Sequence, residues 1–98
     1  MTIPEFNSND LRELCERYHV QRLAVFGSFA HGNARPDSDL DILIEFEDGK
    51  TPGLRFFTLQ RELSELFGRD VDLNTAGFLS RHFRDDALRE AQDIYVAA

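Results

Sequence analysis

The chain has a single cysteine, Cys15, no tryptophan, three prolines and only eleven lysines and arginines among its 98 residues. One thiol cannot close an internal disulfide, so the fold must stand on its apolar core. No apolar run approaches the ~18 residues that a membrane span needs, and the opening MTIPEFNSND lacks the charged-then-apolar layout of a secretory signal. A cytoplasmic protein with no membrane partner is expected. Eighteen Asp and Glu outweigh the cations and leave a formal net charge of −7. Such a surface repels phosphate backbones, so direct nucleic-acid binding is disfavoured. What remains is enough to fold: 42% of the residues are hydrophobic, nine of them Phe, too many for a disordered tail. The length suits one domain, expected over residues 1–98.

Periodicity organises the chain into alternating elements. Asn7 or Ser8 can cap a helix whose Leu11, Leu14, Cys15 and Tyr18 fall at i, i+3, i+4 and i+7, a core face. Cys15 lies inside that stripe and is read as a packing residue. Val20–Phe26 is rich in β-formers and ends at Gly27-Ser28, a strand running into a turn. One helical turn fits before Gly32, and a loop follows through Asn33, Pro36 and Asp37. Leu40–Phe46 is the clearest strand, with Leu40, Ile42, Ile44 and Phe46 on one side and Asp39, Asp41, Leu43 and Glu45 on the other. A turn at 47–50 leads to a helix expected from Pro52 to Phe67, buried through Phe56, Leu59, Leu63 and Leu66 and stopped by Gly68. Val71–Asn74 reads as a short strand, Ser80–Ala91 as helix and Ile94–Val96 as a final strand. The order implies an α/β (α+β) layer: a small mixed sheet of about four strands with helices packed on it.

Three features carry chemical meaning. Gly27-Ser28 ends a strand, and a glycine there lets a phosphate approach backbone N–H groups that a serine hydroxyl extends; a tight turn needing glycine is the structural alternative. The Gly27 to Gly32 spacing imitates a P-loop, but Asn33-Ala34 stand where Lys-Ser/Thr is required, which excludes a Walker-type nucleotidase. Asp39 and Asp41 lie at i and i+2 on an apolar strand, ~6.5 Å apart along it. That separation suits carboxylates holding two metal ions ~3.5–4 Å apart. Asp72, between Val71 and Leu73, is separated from that strand by a helical crossover of the kind that joins parallel neighbours, so it can complete a three-carboxylate site for Mg²⁺ or Mn²⁺. His19, His31 and His82 are scattered, and Cys/His spacing for zinc is absent.

Gly27-Ser28-Phe29-Ala30-His31-Gly32, then Ser38-Asp39-Leu40-Asp41-Ile42-Leu43-Ile44-Glu45-Phe46, and later Val71-Asp72-Leu73, resemble the signature of the minimal nucleotidyltransferase (MNT) family. That family lies within the DNA polymerase β-like superfamily, whose pattern is Gly-Ser, Asp-x-Asp and a third acidic residue on a later strand. The resemblance implies a nucleotidyltransferase fold and transfer of a nucleoside monophosphate, AMP from ATP, with two Mg²⁺ ions. It gives Asp39 and Asp41 the role of holding both ions, and Asp72 that of assisting one and accepting the acceptor's proton. Gly27 and Ser28 would hold the distal phosphates of the nucleoside triphosphate. Arg35 would supply charge where His31 replaces the arginine frequent in relatives. It further implies a HEPN-domain toxin as partner, the protein acting as its antitoxin by adenylylating it. Because so short a chain has little left to bind a large acceptor, that surface is expected on a partner or on a second copy. Two rivals remain: a module that neutralises a partner by binding alone, and an acidic interaction domain with no nucleotide site.

Overall fold

The computed structural model describes residues 5–27, 39–75, 85 and 89–97. Helix α1 spans Ser8–Arg17, and Asn7 rather than Ser8 caps it, its Oδ1 accepting the N–H groups of Asn9 and Asp10 at 2.9 and 3.0 Å. These are two of the four donors that a helix start leaves without partners. Strands β1 (Val20–Phe26) and β2 (Leu40–Phe46) pair antiparallel, with Val25 opposite Ile42 and Phe26 opposite Asp41. Helix α2 spans Arg55–Phe67, and strands β3 (Val71–Thr75) and β4 (Gln92–Val96) follow.

The strands form one mixed sheet in the order β3-β2-β1-β4, β3 parallel to β2 and β4 antiparallel to β1. The expected small mixed sheet is what the chain forms. α1 and α2 cover one side of it, where Leu11, Leu14 and Cys15 of α1 and Leu59, Leu63 and Phe67 of α2 pack on Leu23, Val25, Leu40, Ile42 and Ile44. A smaller apolar patch lies apart from this core, where Ala91 packs against the buried Phe26 and Leu43.

Four boundaries differ from expectation. α2 begins at Arg55, not Pro52, because Gly53 takes a left-handed φ of 66° that an α-helix cannot include. β3 runs one residue further, to Thr75, and β4 begins at Gln92 rather than Ile94. Asp85, Arg89 and Glu90 are helical, in keeping with the expected C-terminal helix, whereas Ala91 is not.

Strand β3 is an edge of the sheet, and two of its outward N–H groups are satisfied by the helix that delivers it. Ser64 Oγ accepts the Val71 N–H at 3.0 Å, and Gln60 Oε1 accepts that of Leu73 at 2.9 Å. Both acceptors sit on α2, so the β2-α2-β3 crossover fixes β3 by polar bonds as well as by apolar packing.

Candidate active site

The parallel pairing of β2 with β3 puts Leu40 opposite Val71 and therefore Asp41 opposite Asp72. Adjacent strands lie ~4.8 Å apart, so two residues distant in sequence become direct neighbours on one side of the sheet. The apolar partners on either side set this arrangement: Leu40, Ile42, Val71 and Leu73 are all buried in the main core, and alternation sends Asp41 and Asp72 to the opposite side. Asn74 continues that side of β3, its amide donating to the Asp72 carbonyl at 3.1 Å.

Gly27 closes the other flank of Asp41. A Cβ built on it would stand 2.2 Å from Asp41 Oδ2, and the residue has a φ of +72°, so neither the space nor the backbone admits a side chain. Gly27, Asp41 and Asp72 thus rank in that order across the sheet from β1 to β3. Asp39 lies exposed just before β2.

The cluster is electrostatically strained. Burial, first, and then the charges of Asp72 and Asp39, with a hydrogen bond that the protonated Asp41 donates to Asp72, push the Asp41 carboxyl up from the ordinary 3.8 to about 6. An all-oxygen donor set whose members repel one another fits a hard divalent cation such as Mg²⁺. Among the described residues no group of three or more acidic, His or Cys side chains is placed to hold a metal ion. The register joins Asp41 with Asp72, and Asp39 stands near enough to act on Asp41. Ser28 and Arg35, the other expected phosphate contacts, and His31 lie outside the described residues. Cys15 is no part of the site: it is fully buried, and burial pushes its thiol up to about 12.

A cavity of about 830 Å³ opens beside Asp72, where the C-terminal ends of β2 and β3 meet the start of α2. Sequence reading did not anticipate it. The signal was present in Phe56-Phe57, because neighbours ~100° apart on a helix cannot both face the core, and in the acidic run Glu45, Glu47 and Asp48.

A nucleotidyltransferase domain family matches residues 9–94. The protein adenylyltransferase MntA of Thermococcus cleftensis is 41% identical over 86 residues, which cover 87% of this chain and 83% of that one. A solved structure assigned to the minimal nucleotidyltransferases is also 41% identical, with a TM-score of 0.71 over 87% of this chain and 86% of the other. The MNT antitoxin complex with a tri-AMPylated HEPN toxin of Shewanella oneidensis gives a TM-score of 0.64 over 92% of this chain and 70% of the matched one. At 18% identity that last match is a likeness of fold.

Proposed function

Because the chain belongs to the minimal nucleotidyltransferase family and is a nucleotidyltransferase, we propose that it transfers AMP from ATP to a hydroxyl of a protein partner, a HEPN-type toxin, in the cytoplasm and as a single catalytic domain. The observation that carries this reading is the pairing of Asp41 with Asp72 beside the bare backbone of Gly27. The adenylyltransferase relative supports the choice of AMP. The AMPylated toxin in the Shewanella oneidensis complex supports the choice of acceptor.

Asp39 and Asp41 would hold two Mg²⁺ ions, with Asp72 sharing one. Bound there, the metal supplies Lewis acidity to the α-phosphate and neutralises the triphosphate. Asp72 is the exposed member of the pair, so it takes the proton of the acceptor hydroxyl as that oxygen bonds to the α-phosphorus. The bond from the α-phosphorus to the bridging oxygen breaks, pyrophosphate departs and AMP remains esterified to the protein. Gly27 allows the β- and γ-phosphates close to the backbone, while Ser28 donates a hydroxyl hydrogen bond and Arg35 adds positive charge. A tyrosine acceptor suits this chemistry because a phenol ionises far more readily than an alkyl hydroxyl.

Incubation of the purified protein with its partner toxin, ATP and Mg²⁺ should raise the partner's mass by one or more AMP groups, and Asp39→Ala should abolish the gain. Neutralisation of the toxin without a mass change, surviving in Asp39→Ala, would show instead a protein that acts by binding alone.

A further inference from the structure

Away from the carboxylate pair, the end of α1, the turn after β2 and the start of α2 form a second cavity, of about 330 Å³. Arg17, Tyr18, His19, Lys50, Thr51 and Arg55 are among its walls, and no Asp or Glu lines it among the described residues. Cationic and protonatable side chains thus converge in a chain whose net charge is −7. From outside, Glu62 approaches Arg17 at 3.9 Å and Glu47 approaches the His19 ring at 3.6 Å, both beyond hydrogen-bond length. Lys50 and Arg55 have no carboxylate partner among the described residues, so the cavity keeps a net positive lining.

The tyrosine and the histidine of this lining point to a ligand as well. Tyr18 is only 4% exposed, yet its hydroxyl has no hydrogen-bond partner among the described residues, whereas a buried phenol ordinarily finds one. The Arg55 guanidinium lies 4.9 Å over the same ring, which holds its planar fork at the cavity wall. His19 has a φ of 57°, a conformation that strains an L-residue and that glycine adopts freely. The residue standing there nevertheless carries an imidazole, and it lines the cavity.

We propose that this cavity binds a small phosphate-class anion, typified by pyrophosphate, at a site separate from the carboxylate pair. Arg17, Lys50 and Arg55 supply the charge, and the hydroxyls of Tyr18 and Thr51 add neutral donors. Donors contributed by a helix end, a turn and a helix start suit a tetrahedral oxyanion better than a planar carboxylate with its two oxygens. The net charge of the chain does not forbid such binding, because physiological salt screens exposed charges beyond ~8 Å and the nearby groups dominate. The cavity lies far from the carboxylates: His19 precedes β1, and Asp41 stands opposite Phe26 at the other end of that strand, roughly 20 Å away at ~3.3 Å per residue. Anion binding here is independent of AMP transfer, although that reaction would release pyrophosphate.

The isotope-labelled full chain is titrated with pyrophosphate in metal-free buffer of constant ionic strength and followed by its amide chemical shifts. Without a divalent cation Asp41 and Asp72 repel the probe, so the carboxylate centre does not contribute. The shifts should saturate at about 1 mM or below. They should centre on Arg17, Tyr18 and His19 and on Lys50 to Arg55, while Gly27, Asp41 and Asp72 stay unmoved. Lys50→Gln combined with Arg55→Gln should weaken binding about tenfold or more, and Tyr18→Phe about fivefold, the first by removing charge and the second by removing one donor. Lys50 and Arg55 are exposed, and phenylalanine keeps the buried ring of Tyr18; unchanged amide shifts across the four strands establish that each variant is folded. Inorganic phosphate should bind at the same amides more weakly, and a glutamate peptide should not displace pyrophosphate. A response that does not saturate, shifts centred on the carboxylates, or indifference to either variant overturns the assignment. Displacement of pyrophosphate by the glutamate peptide, or tighter binding of a phosphoserine peptide, gives the cavity to a protein partner and overturns it equally.

Discussion

Asp41→Asn tests the carboxylate cluster through stability as well as chemistry. The side chain is half-buried, with Asp72 opposite it in register, and its carboxyl is pushed up from 3.8 to about 6, first by burial and then by its acidic neighbours. At about 1.4 kcal/mol per tenfold change in proton affinity, ionisation costs about 3 kcal/mol of folding free energy before screening; solvent at a half-exposed site reduces this to roughly 1–2 kcal/mol. The folded protein holds this proton more tightly than the unfolded chain, so stability falls as pH rises between the two values. The penalty is absent below about pH 4, where both states are protonated, and complete above about pH 6. Asparagine keeps the shape, loses the charge and can donate a hydrogen bond to Asp72. The variant should therefore be roughly 1–2 kcal/mol more stable than the parent at pH 7.5, a Tm gain of roughly 5–10 °C for a domain of this size. That gain should vanish at pH 4. Mg²⁺ should raise the Tm of the parent protein far more than that of the variant, and AMP transfer should be lost. Urea melts at the two pH values decide the matter: a stability difference that does not depend on pH, or retained transfer, refutes the reasoning.

Two further changes probe what holds the site in place. Gly27→Ala introduces a Cβ 2.2 Å from Asp41 Oδ2 at a φ of +72°, and should cost roughly 2–4 kcal/mol from backbone strain and overpacking together. Adding Asp41→Ala should recover the steric part; a single variant that melts like the parent sinks the close-approach argument. Gln60→Leu and Ser64→Ala each strip an acceptor from an N–H of β3 and should cost roughly 1–2 kcal/mol. Amide hydrogen exchange at Leu73 and Val71, respectively, should accelerate, and unchanged protection would mean that the helix does not secure this edge.

Much of the molecule was legible from neighbours a few residues apart. The stripe of Leu11, Leu14, Cys15 and Tyr18 specifies α1, the β-rich run of Val20–Phe26 specifies β1, and alternation in Leu40–Phe46 separates the apolar side from the side carrying Asp41. The pattern of Gly-Ser, Asp-Leu-Asp and a later strand aspartate, which marks the family, is likewise local. The beginning of α2 was misplaced because Pro52 suits a first helical turn, and a glycine such as Gly53 accepts helical and left-handed φ alike, so local sequence does not say which it takes.

Residue pattern could place Asp72 on a strand near the Asp39-Leu40-Asp41 segment, and the tertiary structure alone made it the partner of Asp41. A slip of one residue between β2 and β3 would keep every hydrogen-bonding group in a strand, yet it would turn Asp72 toward the helix-covered core. What prevents the slip is distributed across the chain: Val71 and Leu73 buried against the helices, and Ser64 and Gln60 holding their N–H groups from α2. The pairing of Ala91 with Phe26 and Leu43, and the cavity formed where Phe56 and Phe57 meet the ends of β2 and β3, have the same origin. Local sequence sets which side a residue faces, through periods of two and 3.6. Which residue stands opposite it depends on contacts between segments tens of residues apart, and those exist only once the sheet and its crossover helix have packed together.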